Sequence, residues 1–182
     1  MSACLLGVLA ALASQVVLKN DKVEVTEYNL KPGEDAKSAR FEPGVMVYFG
    51  SGEVRFTPRD RVWGVQAGPT EMHFARIDFL TPGSKETWGA AGLAPNYKLL
   101  LENEYARVYE IKIPAGGREP QHTHKARVVV CLSGADLRHV MPDGRVEPST
   151  LKTGEIAWRP GGTHTGENLG KTDLWVIAVE PK

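Results

Sequence analysis

Three histidines have the spacing of a metal site. His122 and His124 are two residues apart, so in a β-strand both imidazoles would point to the same face and could be neighbouring ligands of one ion. His164 follows a Pro-Gly-Gly turn that would place it at the start of another strand. A third imidazole there would complete a facial ligand set with positions open for water or substrate. The pattern predicts a divalent transition metal, with Fe, Zn, Ni, Mn and Cu as alternatives.

Other polar residues near these histidines are candidates for substrate binding or proton transfer. Arg127 could bind a substrate carboxylate through its planar fork, or it could pair with a structural glutamate. His139 lies on a segment that could line a barrel, whereas Glu119 and Glu167 are candidate bases or spare ligands. The catalytic residue therefore stays open, with Arg127, His139 and Glu119 as the candidates.

The remaining residues of interest are expected to be structural. Strand alternation should turn Gln121 away from the face that carries His122. His73 lies in a part of the chain with no second histidine nearby, which favours a structural role. Trp158 and Trp175 are large apolar side chains on strand-like segments, so we expect them in the core or in a pocket wall.

The composition predicts a β-rich folded protein. The chain has 182 residues, 42% hydrophobic and 24% charged, which excludes disorder and collagen. Its 19 glycines and 12 prolines separate short runs rich in valine and isoleucine, as turns between strands require. Beyond the N-terminus no segment sustains the apolar period of a helix. We therefore expect an all-β protein with antiparallel sheets closed into a jelly roll or barrel.

An internal repeat divides the chain into two unequal halves. Asn20–Leu30 resembles Asn103–Ile113, and each segment is followed by a proline-glycine turn. Val45–Gly52 similarly matches Arg127–Gly134, since both are apolar strands closed by Ser-Gly. Two copies of one β unit explain this pattern. The predicted divisions are residues 16–81 for a degenerate first unit, 82–98 for a linker and 99–182 for the metal-binding unit.

The second half resembles the cupins, whose motifs read G-x5-H-x-H-x3,4-E-x6-G and G-x5-P-x-G-x2-H-x3-N. The residues that follow the first motif are Gly116, His122, His124 and Gly134; those that follow the second are Gly154, Pro160, Gly162, His164 and Asn168. The resemblance covers residues 100–182 well and residues 16–80 as a degenerate repeat. It implies a cupin jelly roll, of bicupin type, that commonly forms homodimers.

The chain departs from the cupin motifs at the metal-binding glutamate. Arg127 stands in that place, and a cation cannot ligate a metal. The interval between the histidine pair and Arg127 is shorter than usual, and the second motif is one residue short before His164. The resemblance therefore implies three imidazole ligands and no carboxylate. In the first unit the counterpart of the histidine pair falls within Ala39–Glu42, which contains no histidine, so we expect no metal there.

Charge and cysteine content point to a small-molecule partner. The 22 basic and 22 acidic residues cancel, so nothing favours a nucleic-acid or membrane-surface partner. Cys4 and Cys131 cannot build a disulfide framework. The apolar run within residues 1–13 is too short to span a bilayer but has the length of a secretory h-region, although it lacks a basic residue before it.

The N-terminus leaves the location of the protein open. Residues 1–15 are either a signal segment or an N-terminal strand or helix of the mature domain. A cleaved signal would make the protein periplasmic or secreted, and an uncleaved one would leave it cytoplasmic.

Three neutral imidazoles would leave a bound metal its full positive charge. Such a centre favours anionic or bidentate oxygen donors and can polarise a carbonyl. Our first hypothesis is therefore a metal-dependent oxidoreductase of the dioxygenase type that acts on a small molecule. The alternatives are a cupin isomerase, a non-catalytic cupin that binds a small ligand or a metal, and an interaction module whose metal is purely structural or absent.

Overall fold

The computed structural model describes residues 13–37 and 42–182, which form sixteen β-strands and no helix. This confirms the all-β prediction. No helix long and apolar enough to cross a membrane occurs in these two ranges. Most of the predicted signal segment lies outside the described residues, as do positions 39–41, where the first unit was expected to face the histidine pair.

Seven strands build the first half of the molecule. They are β1 (Ser14–Lys19), β2 (Val23–Leu30), β3 (Asp35–Lys37), β4 (Gly44–Tyr48), β5 (Val54–Thr57), β6 (Gly64–Gln66) and β7 (Met72–Phe79). Five of these strands form an antiparallel sheet in the order β1-β2-β7-β4-β5, and β3 pairs with β6 in a second, small sheet.

Nine strands build the second half. They are β8 (Lys98–Glu102), β9 (Ala106–Ile113), β10 (Arg118–His124), β11 (Arg127–Ser133), β12 (Ala135–Val140), β13 (Val146–Leu151), β14 (Ile156–Arg159), β15 (Gly162–Asn168) and β16 (Leu174–Pro181). The large sheet has the order β14-β11-β16-β9-β8, and the facing sheet has the order β10-β15-β12-β13. The histidine motifs fall on the facing sheet.

The two halves share one strand order. The large sheet β1-β2-β7-β4-β5 corresponds strand by strand to β8-β9-β16-β11-β14, while the second half adds the hairpin β12–β13. The asparagine that recurs in both copies has the same task in each: the Oδ1 of Asn20 accepts from the backbone N–H of Val23 at 2.9 Å, and that of Asn103 from Ala106 at 3.0 Å. The boundaries at residues 16–81, 82–98 and 99–182 stay a prediction.

The main core lies between the two large sheets, which pack face to face. Its buried side chains alternate along the strands of both halves and are Val23, Val25, Val45, Val47, Ala75, Ile77, Phe79, Ala106, Val108, Val128, Val130, Leu132, Ile177 and Val179. On β11 the intervening residues, Val129 and Cys131, point the other way into the interior of the second barrel. Burial on both faces explains why this strand is an uninterrupted apolar run.

Candidate metal centre

The three predicted ligands meet on two neighbouring strands. His122 and His124 point inward from β10, and the antiparallel register places His122 opposite His164 on β15. All three are buried, with at most 8% of their surface exposed. Their candidate ligand nitrogens all lie within 4.8 Å of one another. The imidazoles therefore converge as strand alternation predicts.

Hydrogen bonds orient the ring of His122 as a metal ligand requires. Its Nδ1 lies 3.0 Å from the carbonyl oxygen of Pro120, and because a carbonyl only accepts, Nδ1 carries the proton. The lone pair is then on Nε2, where the Tyr97 hydroxyl donates over 3.1 Å. A backbone carbonyl that holds the distal N–H of a histidine is the usual support of a metal-bound imidazole.

The donor set fits a divalent transition metal. Burial lowers the pKa of His124 to about 2 and the pKa of His164 to about 3, and the charge of Arg127 acts in the same direction. Both rings are therefore neutral at physiological pH, which is the form that binds metal. The Nε2 of His124 is also buried without a hydrogen-bond partner among the described residues, and it becomes available to an ion once Arg127 no longer donates to Nδ1 and the ring proton moves to Nδ1.

Arg127 contacts this cluster directly. It stands at the start of β11, and its Nη1 donates to Nδ1 of His124 and lies 3.4 Å from the carbonyl oxygen of Pro160. Its Nε is buried without a partner, and within residues 13–37 and 42–182 no carboxylate oxygen comes within 4 Å of the guanidinium. The alternative in which Arg127 pairs with a structural glutamate therefore does not hold in this structure.

Glu119 is turned into the site by a β-bulge. The register passes from Glu119 opposite Gly166 to His122 opposite His164, so three steps on β10 match two on β15. The extra residue brings Glu119 to the same face as His122, where only 5% of it is exposed. Burial raises the pKa of Glu119 against the opposing effects of Tyr97, His122 and Arg127. A Cβ at position 166 would overlap the Glu119 carboxylate, so any larger residue there would displace the carboxylate from this position.

The other sequence candidates do not belong to the group of three converging imidazoles. His139 on β12 stacks on His164 with ring centroids 4.3 Å apart, and it is not part of the ligating group. Glu167 forms ion pairs with Arg118, at 3.0 Å, and with Arg138, and Gln121 is exposed.

Three residues that were expected to be structural lie away from the site. His73 accepts or donates a 2.7 Å hydrogen bond with Glu27 in the first half. Trp158 and Trp175 pack against the core between the large sheets.

A cavity of about 280 Å³ opens beside the histidines inside the second barrel. The histidine-bearing sheet contributes His124, His164, His139 and Glu119, together with Leu137 and Leu151. The large sheet contributes an aliphatic wall and, at the start of β11, Arg127; the wall residues are Ile111, Ile113, Val129, Leu174 and Val176. An apolar cavity with a few convergent polar groups is the usual form of a small-molecule site, and this one is at the small end of the range.

Two residues of the cavity were missed by sequence reasoning. Tyr97 comes from the segment expected to be a linker, which is tied to β10 where the N–H of Thr123 donates to the carbonyl of Gly92 at 3.0 Å. An aromatic residue in a loop carries no motif that would have indicated this role. Arg159 lines the cavity from β14, directly across from Arg127 in the strand register. Its position just before the Pro-Gly-Gly turn was the one available signal.

The chain belongs to the cupin superfamily. A cupin domain from Bordetella pertussis is 30% identical to it, over 47% of this chain and 91% of that domain, with a TM-score of 0.43. No protein-family model matches the chain, and no curated protein matches it significantly in sequence.

Two solved enzymes share the fold over both halves at low sequence identity. Oxalate decarboxylase of Bacillus subtilis, a protein with Mn(II) centres, is 13% identical over 88% of this chain and 69% of its own, with a TM-score of 0.56. Salicylate 1,2-dioxygenase of Pseudoaminobacter salicylatoxidans, solved as adducts with gentisate, is 12% identical over 87% of this chain and 68% of its own, with a TM-score of 0.52. At such identities the likeness describes the fold alone.

Proposed function

We propose that this protein is a metal-dependent cupin that acts on a small molecule as an oxidoreductase of the dioxygenase type. The observation that carries the proposal is the convergence of the buried imidazoles of His122, His124 and His164 beside a cavity with an aliphatic wall. The fold it shares with salicylate 1,2-dioxygenase supports the reaction class by analogy.

In this proposal, metal binding, orientation of the ligands and substrate binding are assigned to different residues. His122, His124 and His164 would hold the metal, and the carbonyl of Pro120 would fix the tautomer of His122. A divalent transition metal there would supply Lewis-acid polarisation of oxygen donors and, in the case of iron, redox chemistry with dioxygen. The aliphatic wall would exclude water and bind the apolar body of the substrate.

An isomerase is the second candidate, and Glu119 is the observation that favours it. Proton transfer needs a base within reach of the substrate, and at the sequence level no candidate had a geometric argument. Glu119 is buried, lines the cavity and has a raised pKa, as a carboxylate adapted for proton transfer at neutral pH would have. Glu167, by contrast, is occupied by two arginines.

Elemental analysis of the full chain, purified without chelator or nickel resin, tests the metal centre. We expect about one transition-metal ion per chain in the wild type and loss of the metal in His122→Ala and His164→Ala. His73→Ala is the matched control, because His73 is bonded to Glu27 away from the site. No metal in the wild type after reconstitution with each candidate ion would contradict the proposal.

Oxygen uptake then separates the reaction classes. The iron-loaded chain should consume oxygen with a member of a panel of aromatic acids, diketones, flavonols and thiols. Substrate conversion under nitrogen that Glu119→Gln abolishes would point instead to the isomerase. Ligand binding by the loaded chain without turnover under either atmosphere would indicate a non-catalytic binding cupin.

A further inference from the structure

Arg127 lines the cavity beside the histidines and has no anionic partner within residues 13–37 and 42–182. Among these residues its guanidinium has two hydrogen-bond partners, the imidazole of His124 and the carbonyl of Pro160, and its buried Nε has none. A partly buried charge without a counter-ion is unfavourable unless a ligand or water completes its hydrogen bonds. Arg127 therefore has donor capacity directed at the site that the described protein groups do not use.

The neighbouring charges leave Arg127 as the group for an anion to bind. Arg159, across from it in the register, is paired with Glu155 at 2.9 Å. Glu147 at the rim is paired with Arg145 at 3.0 Å. Glu119 is the other acidic residue that lines the cavity, and no ion pair joins it to Arg127 within residues 13–37 and 42–182. Among the described residues that line the cavity, Arg127 is thus the cation without a paired carboxylate.

We propose that Arg127 is the binding site for the carboxylate of the substrate, so that the protein acts on a small carboxylic acid with an apolar body. A guanidinium binds a carboxylate through two parallel hydrogen bonds, which neutral isosteres cannot match. The apolar body would lie against Val129, Leu137 and Val176, which line the same cavity. The inference rests on the proposed function only for the reaction that follows binding.

Metal binding and carboxylate binding should favour each other. A neutral imidazole has one lone-pair nitrogen, and while Arg127 donates to Nδ1 of His124 the ring proton must be on Nε2. Neither nitrogen can then ligate an ion, so a metal must displace Arg127 from His124. A carboxylate that takes over the guanidinium removes this competition, and the coupling is reciprocal.

Calorimetric titration of the full chain with benzoate, in the presence and absence of Mn²⁺, tests this assignment. Benzamide has the same shape without the charge and is the ligand control. We expect benzoate to bind the wild type, with tighter binding when Mn²⁺ is present, and benzamide to bind at least about tenfold more weakly. Arg127→Gln should weaken benzoate binding by about tenfold or more in both states.

Two further variants serve as controls for Arg127→Gln. Arg127→Lys keeps the positive charge but loses the planar guanidinium that forms two parallel hydrogen bonds. Its benzoate affinity should therefore lie between those of the wild type and Arg127→Gln. Arg145→Gln removes an exposed arginine that pairs with Asp143 and Glu147, and it should bind benzoate as the wild type does. A circular-dichroism melt of each variant checks that it is folded.

The outcomes separate this inference from the proposed function. Equal binding of benzoate and benzamide, or equal benzoate affinity in folded Arg127→Gln and Arg145→Gln, would overturn the carboxylate site. Benzoate bound equally by the Mn²⁺-loaded wild type and Arg127→Gln would assign the carboxylate to the metal instead. Failure of the wild type and of every variant to bind Mn²⁺ would count against the proposed metal centre. The titration without metal would still decide whether Arg127 binds the carboxylate.

Discussion

Glu119 and Arg127 are charged side chains that line the cavity beside the histidines without an ion-pair partner among the described residues. Each has a buried polar atom without a hydrogen-bond partner among the described residues, Oε1 in Glu119 and Nε in Arg127. Such unsatisfied groups destabilise a fold, and proteins keep them chiefly where they serve a function. These residues therefore indicate a site that is arranged for a ligand at the expense of stability.

Glu119→Gln should stabilise the metal-free protein at neutral pH. Because burial raises the pKa of Glu119 in the fold, the folded chain holds the proton to higher pH than the unfolded chain. Stability is thus lost as the pH rises above the ordinary carboxyl pKa of 4.5, and a glutamine avoids this loss. We expect a gain of about 0.5–2 kcal/mol at pH 7.5, which shrinks towards pH 4.5, in thermal melts followed by circular dichroism.

The matched control is Glu147→Gln, since Glu147 also lines the cavity but its side chain is 51% exposed. Glu147→Gln should show no gain in stability over the wild type that grows with pH. A Glu119→Gln difference that is constant between pH 4.5 and pH 7.5 would contradict the buried, raised-pKa state of this carboxyl group.

At the level of the strands, local rules predict the histidine cluster but not its surroundings. Alternation along one strand places His122 and His124 on a common face, and the Pro-Gly-Gly turn indicates the strand of His164. Both signals are local in the sequence. The inward position of Glu119 depends instead on a β-bulge that no feature of the sequence Arg118–Gln121 predicts. Tyr97 lies in a loop and reaches the site through long-range contacts. Positions that depend on tertiary contacts leave no periodicity or motif in the sequence from which they could be predicted.

The Glu102 carboxylate helps to hold the segment before β8. Glu102 accepts from the backbone N–H of Trp88 at 2.6 Å, from that of Gly89 at 2.7 Å and from the Nζ of Lys182 at 2.8 Å. This segment leads to Tyr97 and so supports the cavity wall. The Lys182 ammonium, followed by the backbone N–H of Trp88, lowers the pKa of Glu102 to about 2.

Glu102→Gln should lower the melting temperature by about 2–4 °C at pH 7, as expected for about 1 kcal/mol in a chain of this size. Because the pKa of Glu102 is lowered in the fold, the stabilisation is complete above about pH 4.5 and is lost by about pH 2. The difference in melting temperature between Glu102→Gln and the wild type should shrink as the pH falls from about 4.5 to about 2. Glu104→Gln, at an exposed neighbouring position, is the control, and a gap that stays constant with pH would contradict this account.

At the scale of the whole molecule, the half without the histidine cluster supports the half that has it. The large sheets of both halves contribute to one core, in which Phe79 stacks on Tyr105 with ring centroids 6.2 Å apart. The large sheet of the second half also forms the aliphatic wall of the cavity with its other face. The cavity wall is thus one layer removed from the first half, and we expect the chain to unfold as one cooperative unit.

Phe79→Ala should lower the stability of the whole chain and not of the first half alone. Phe79 is fully buried, so its truncation should cost about 3–5 kcal/mol, or about 6–20 °C in melting temperature. Leu80→Ala, at the adjacent and 37% exposed position, should change stability by less than about 0.5 kcal/mol. Differential scanning calorimetry should show a single transition in both variants, with equal calorimetric and van't Hoff enthalpies. A second transition at the wild-type temperature in Phe79→Ala would mean that the histidine-bearing half is stable by itself.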